Sequence, residues 1–173
     1  MSSGLTSFDT AWAVQRRLGN IPECRFLGRG AWACVYRISR YRVLKITSDE
    51  TDARVAALLH AEPVSWAPRI HDIFKVDATQ YGYVAQYIEG RPAKLRMESL
   101  GLRAQCALPK QKQLQAAHNW LAARGITLYD LGGTNVRRRS NGTLCVVDFG
   151  CANFTEQAGR HTRKLLRALD SVT

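Results

Sequence analysis

Apolar positions recur at helical spacing near the start of the chain, and strand-like and helix-like stretches then follow one another along it. A start signal, Ser7-Phe8-Asp9-Thr10, precedes Ala11, Trp12, Val14 and Leu18 on one helical stripe, which Gly19 closes. The period then shortens to two. Cys24 to Gly28, Ala33 to Ile38 and Tyr41 to Thr47 read as three short strands with tight connections, and in that order they predict an antiparallel meander. Thr47 with Glu50 three residues later predicts a capping box. Val55, Leu58 and Leu59 give the helix that follows an apolar face, and Pro63 and Pro68 end it. Two more strands are expected near His71 to Asp77 and Tyr81 to Tyr87.

Gly90, Arg91 and Pro92 interrupt this pattern and mark a boundary between two lobes. Residues 93 to 108 show no clear period. From Pro109 to Arg124, Leu114, Ala117, His118 and Leu121 share one helical stripe, with Pro near its start and Gly125 just past its end. Beyond the apolar run Ile126 to Leu128, Val136 to Arg139 and Thr143 to Val147 flank Ser140-Asn141-Gly142, a hairpin signal. The residues after Gly150 predict an amphipathic helix, Leu165, Leu166 and Leu169 inward and Arg160, Arg163, Lys164 and Arg167 outward.

Composition adds limits to this outline. The 173 residues, 46% hydrophobic and 23% charged, are enough for one domain with its own core and no disulfide staple. No apolar run reaches the ~20 residues of a membrane helix, and Met1 to Thr10 lacks a signal peptide's basic flank and apolar stretch. A cytoplasmic site of action is the expectation. Twenty-five basic against 14 acidic residues, a net charge of +11, favour acidic partners: nucleic acid, nucleotides, anionic membranes or acidic proteins, of which a protein with an acidic surface is the expectation and a membrane is not. The five cysteines, Cys24, Cys34, Cys106, Cys145 and Cys151, form no C-x-x-C pair and read as reduced, mostly buried thiols.

Three features carry candidate chemistry. Gly28-Arg29-Gly30, between two strands, lets backbone N–H groups approach phosphate oxygens, although two glycines at a turn also need no ligand. In Val43-Leu44-Lys45-Ile46 one lysine interrupts an apolar strand, and a buried amine requires an anion unless it snorkels from a sheet edge. Asp130, Asn135 and Asp148 lie at loop positions that could bring oxygen ligands to one cleft, a set suited to magnesium, with one carboxylate left to accept a proton.

In this order the motifs G-x-G, strand Lys, D-x-x-x-x-N and D-F-G resemble those of the protein-kinase-like superfamily, over roughly residues 24 to 151. In shortness the chain is most similar to the minimal Ser/Thr protein kinases of bacteriophages and some bacterial effectors. The resemblance implies an α+β, minimal bilobal protein-kinase-like fold in a single domain over 1–173. An antiparallel N-lobe sheet would span about 20–85, a hinge about 86–90, and a truncated, mostly helical C-lobe about 91–173. It also implies ATP and Mg²⁺ as cofactors. Gly28 and Gly30 would cover the phosphates and Lys45 would hold them. Val35 with Gln86, Tyr87 and Ile88 would contact adenine, Asp130 would orient or deprotonate the acceptor hydroxyl, and Asn135 and Asp148 would hold the metal.

The departures are specific. Ala33 stands at the third glycine, Leu128-Tyr129 replaces His-Arg before Asp130, and Gly132 stands where protein kinases carry a Lys. The position that should offer a Glu to Lys45 is Arg54. Asp52 is therefore the candidate partner, with Glu50 second, and either carboxylate also suits a helix N-terminus. The A-P-E motif and the large helical region after it are absent. Arg137-Arg138-Arg139 is either a solvated charge run or a dock for an acidic substrate. The expected function is γ-phosphate transfer to Ser/Thr of a host or target protein, in the host cytoplasm for a phage or effector protein. The alternatives are a small-molecule phosphotransferase and a non-catalytic ATP-binding or basic module.

Overall fold

The computed structural model describes residues 14–19, 21, 24–93, 100–101, 112–129, 131 and 134–170. Within them the first half of the chain forms strands β1 (Arg25–Arg29), β2 (Ala33–Arg37), β3 (Arg42–Thr47), β4 (Ile70–Lys75) and β5 (Tyr81–Gln86), joined antiparallel in the order β1-β2-β3-β5-β4. Period-two alternation gives this sheet two apolar faces. Leu44, Ile46, Phe74 and Val84 lie on one, covered by Val14, Leu18 and Ile21 from a helical turn at 14–18 and the residues after it. Ile70, Ile73, Tyr83 and Ala85 lie on the other and join the main core.

Helix α1 (Glu50–Ala61) follows β3 and packs on this inner face. Its start corrects the expected capping box. Asp49 is the N-cap, accepting from the N–H of Thr51 at 2.8 Å, while Thr47 Oγ1 accepts from the N–H of Asp49 at 3.1 Å. A carboxylate one residue from the helix satisfies its unpaired donors and its dipole better than the more distant hydroxyl. Every residue from Asp52 to Leu59 is buried, so this helix is covered on all sides.

The rest of the described chain contains strands β6 (Arg91–Pro92) and β7 (Leu100–Gly101), a 3-10 turn at Lys112–Leu114, and helix α2 (Gln115–Ala123). Strands β8 (Ile126–Leu128), β9 (Val136–Arg138), β10 (Leu144–Val146) and β11 (Ala152–Phe154) and helix α3 (Glu156–Asp170) follow. Two three-stranded sheets result, β10-β9-β6 and β11-β8-β7. The fold class is mixed α+β, as expected. The hairpin signal holds through a longer loop, closed by Arg139 N–H on Thr143 O at 2.8 Å, with Gly142 at φ +83°. Gly125 ends α2 at φ +66°, and a Cβ there would meet Thr155 Oγ1 at 2.3 Å, so this stop needs glycine for two reasons.

Strand β11 has no sequence signal, because three residues are too few to show alternation; its pairing with β8 makes it a strand. The expected helix start at 109–111, the capping signal of residues 7–10, Cys106 and most of 93–108 lie outside the described residues.

One continuous core runs from Ala53 to Leu59 through Trp66 and Ile73 to Leu121, Ile126, Phe149 and Leu166. Trp66 and Trp120 meet edge to face with centroids 5.5 Å apart. Helix α3 lays Ala158, Thr162, Leu165, Leu166 and Leu169 inward, packing on α1, and keeps Arg160, Arg163, Lys164 and Arg167 exposed. All four described cysteines are free thiols, but only Cys34 and Cys145 are buried; Cys24 and Cys151, at a strand entrance and a turn, are exposed, which corrects the expectation of mostly buried thiols. Among the described residues no helix is long and apolar enough to cross a membrane.

Candidate functional site

Because β3 alternates, Leu44 and Ile46 face the outer cluster and Lys45 faces inward, opposite Val35 on β2 and Tyr83 on β5. Lys45 is 6% exposed. An ammonium at that depth is costly without countercharge, and two carboxylates supply it. Asp52 Oδ2, on the first turn of α1, lies 2.8 Å from Lys45 Nζ, and Asp148 Oδ1 accepts a hydrogen bond from it at 2.7 Å. Asp52 is wholly buried, and its other oxygen accepts from the Tyr83 hydroxyl at 3.1 Å. Asp148 is more open, its side chain 41% exposed, and also accepts from the N–H of Gly150 at 3.2 Å.

The charges of this trio are set by competing forces. Burial lowers the pKa of Lys45, but Asp52 and Asp148 outweigh it and hold the ammonium well above its ordinary range. Burial raises Asp148, yet Lys45 and the N–H groups of Gly150 and Phe149 bring it below the usual carboxylate value. Asp52 goes the other way, raised first by burial and then by Asp148, against the pull of Lys45. Burial and the charge of Asp52 also keep the Tyr83 phenol well above its ordinary value, so it serves as a donor.

Around the trio opens a cleft of about 390 Å³. Leu27, Gly28, Gly30, Val35 and Val43 line it from the sheet, Gln86, Tyr87 and Ile88 from the segment leaving β5, and Asn135, Arg137, Val147 and Asp148 from the second half. The Gly28–Gly30 turn is closed by the N–H of Gly30 on Ala33 O at 2.8 Å and tied to the start of α1 by Ser48, whose N–H donates to Trp32 O at 2.9 Å. A Cβ at Gly28 would meet nothing within 4 Å, and one at Gly30 only Ala33 O at 4.0 Å. Internal packing therefore does not require these glycines. The N–H groups of Gln86 and Tyr87 are engaged by Arg69 O and Tyr41 O, both at 2.8 Å.

Lys45, Asn135, Asp148, Gly28, Gly30, Val35 and the 86–88 segment thus surround one cleft, with Asp52 buried behind Lys45 as its ion-pair partner, while Glu50 is exposed on the first turn of α1 and Asp130 lies outside the described residues. Sequence reasoning missed Tyr83 and Arg137. Tyr83 sits directly across β5 from Lys45, a register that strand pairing alone fixes. Arg137 hid inside a charge run: it lines the cleft and donates to Gly90 O at 3.0 Å, whereas Arg138 is exposed and Arg139 donates to Ser65 O. The position expected by spacing to offer a Glu to Lys45, occupied by Arg54, points away from it, into α3, and Asp52, the expected substitute, makes the pair. Two residues along a helix is a turn of about 200°, so Asp52 and Arg54 cannot share a face.

The oxygens of Asn135 and Asp148 are the hard donors magnesium takes. Among the described residues no cluster of three or more His, Cys, Asp or Glu could hold a metal by itself. Magnesium commonly relies on one or two carboxylates plus substrate phosphates and water, so two protein ligands fit it.

No protein-family model matches the sequence. No curated protein matches it either. Among solved structures the chain is similar to a thermostable mutant of aminoglycoside phosphotransferase APH(4)-Ia in ternary complex with AMP-PNP and hygromycin B, with a TM-score of 0.39 and 12% identity. That likeness covers 49% of this chain and 30% of the other, so the chain spans less than a third of the neighbour's length.

Proposed function

We propose that this cleft binds Mg-ATP and that the protein transfers the γ-phosphate to a Ser or Thr hydroxyl of a target protein. The observation that carries the reading is Lys45 Nζ held at 2.8 Å from Asp52 and 2.7 Å from Asp148, beneath the Gly28–Gly30 turn. Two carboxylates fix where the ammonium stands, and that position suits contact with the α- and β-phosphates. Gly28 and Gly30 would let the turn approach the phosphates, and their freedom from internal crowding fits that use. Leu27, Val35 and Val43 would close over the base. With the N–H groups of Gln86 and Tyr87 engaged, Ile88 would supply the backbone donor to its edge.

Asn135 and Asp148 would hold magnesium, which when bound neutralises charge on the transferring phosphate. Asp130 would orient the acceptor hydroxyl and take its proton. No covalent enzyme intermediate is needed. A protein acceptor with an acidic surface is favoured by the net charge of +11 and by Arg91 and Arg138, which stand directly opposite each other, both exposed. Like charges so placed repel unless an anion lies across them. Nucleic acid is the competing acidic partner, and its binding would fall steeply with salt and survive Asp148→Ala.

The test is transfer of labelled γ-phosphate from Mg-ATP into the proteins of a bacterial lysate, wild type against Asp148→Ala. Discrete bands labelled by wild type alone are expected. Unlabelled protein with ATP consumed in a metabolite extract would move the acceptor to a small molecule, and no consumption in either extract would overturn phosphotransfer.

A further inference from the structure

The segment that follows Asp148 leaves the cleft after Phe149 and turns onto the neighbouring helix. It wraps helix α1, the element that carries Asp52, and holds it at two points. At the N-terminal end of α1 the capping residue Asp49 uses one oxygen for Thr51 and accepts with the other from the N–H of Cys151, at 3.3 Å, where the chain turns through a positive φ of 60°. In the first turns of α1, on the side away from the cleft, Arg54 is 7% exposed and enters α3. Its Nε donates to Thr162 Oγ1 at 2.7 Å and an Nη to Gly159 O at 3.1 Å, and its guanidinium lies 3.9 Å from the centre of the Phe154 ring.

The surroundings are shaped to that guanidinium. A Cβ at Gly159 would stand 3.1 Å from the Arg54 Nη, so a larger residue there would press on the planar group. Thr162 Oγ1 donates onward to Ala158 O at 3.0 Å, which leaves its lone pairs to receive Arg54. An apolar side chain would have filled the same interface at less desolvation cost. An arginine with directional bonds fixes the rotation and height of α1 where greasy contact alone would let it slide.

We propose that Arg54 is a positioning residue: through α3 it fixes the rotation of α1 that places Asp52 against Lys45, so that the last helix acts as a built-in brace of the phosphate-binding lysine. The proposal rests on the phosphotransfer reading for its activity readout, but not for its geometry.

The experiment compares full-length wild type, Arg54→Met, Arg54→Lys, Thr162→Val, Asp52→Asn and the double variant Arg54→Met/Asp52→Asn. The first readout is independent of activity: the rate at which Lys45 is acylated by an amine-reactive ester, followed by mass spectrometry. Removal of the brace should raise that rate by about tenfold, as release of a constraint worth ~1.4 kcal/mol would, with Arg54→Lys falling between Arg54→Met and wild type. The second readout is ATP turnover. Arg54→Met and Asp52→Asn should each lower it by about tenfold. The double variant should be no slower than Asp52→Asn, because Arg54 acts only through Asp52, whereas the losses in Tm should add.

Unchanged Lys45 acylation in Arg54→Met, or turnover losses that multiply in the double variant, would overturn the proposal. If Arg54→Met does not fold, Thr162→Val, which keeps the arginine and removes its acceptor, decides by the same acylation readout. Absence of turnover in wild type would sink the phosphotransfer reading while Lys45 acylation still decides the brace.

Discussion

Helix α1 presents a buried charge on each of two sides, and the two are compensated by different means. Toward the cleft, Asp52 meets Lys45 as ion against ion, with Asp148 as a third charge. Away from it, Arg54 meets a hydroxyl, a carbonyl and an aromatic ring. Burial lowers the pKa of Arg54, and the charges of Glu50 and Arg163, both exposed, act on it in opposite directions. The first arrangement depends on every partner being present and ionised. The second depends on geometry and is indifferent to pH near neutrality, because its acceptors do not titrate. Toward the cleft the helix is thus held by charge, and on its far side by geometry.

The largest test of this contrast is Lys45→Met. It leaves the Asp52 carboxylate buried without countercharge, a loss of roughly 3–5 kcal/mol, visible as a lower urea midpoint, and it should abolish phosphate transfer. Adding Asp52→Leu should recover most of the stability and none of the activity. If the double variant is no more stable than Lys45→Met, the cleft side is not governed by its ion pair.

Next in size is Leu166→Ala, at the buried face of α3, 4% exposed. It should cost about 2–4 kcal/mol. By loosening the brace it should also raise Lys45 acylation, although no atom of Leu166 belongs to the cleft. A stability loss without that rise would separate α3 from Lys45.

A smaller effect follows acidification. Asp148 is held below the ordinary carboxylate range in the folded protein, so its ionisation contributes stability above the unfolded-chain pKa of about 4, lost as pH falls through the folded value. Asp52, raised by burial, contributes with the opposite sign and blunts the slope. Asp148→Asn should therefore lose less stability than wild type between pH 6 and 3, read as urea midpoints. A steeper loss in the variant would reverse the sign assigned to Asp148. The mildest change is Gly28→Ala, which should leave stability within about 0.5 kcal/mol and raise the KM for ATP severalfold. An unchanged KM would remove the turn from the nucleotide site.

Lys45 and Asp148 were legible in the sequence because an isolated lysine in an apolar strand and an Asp-Phe-Gly turn are local signals. Asp52 was legible because it shares a helical face with Val55 and Leu59. The meander was legible from its period of two. What lay beyond reach was tertiary. That α3 would lie on α1, that Arg54 would spend its charge there, and that Tyr83 would donate to Asp52 depend on pairings between segments far apart in sequence. Asp49 displaced Thr47 as the cap through a contest between two adjacent acceptors that a spacing rule cannot resolve. Arg137, first in a run of three arginines, looked like its neighbours until strand β9 turned its side chain to the cleft.

The bonds of Arg54 join residues 105 and 108 positions apart, and the contact between Lys45 and Asp148 spans 103. Closing a loop of about 100 residues costs on the order of 4 kcal/mol of chain entropy, and folding rates fall as such non-local contacts come to dominate. The five-stranded sheet, whose pairings are mostly short-range hairpins, has no such delay. On refolding, the sheet should form first with Lys45 and Asp52 still hydrated, and both charges should lose their water only when the distant end of the chain arrives.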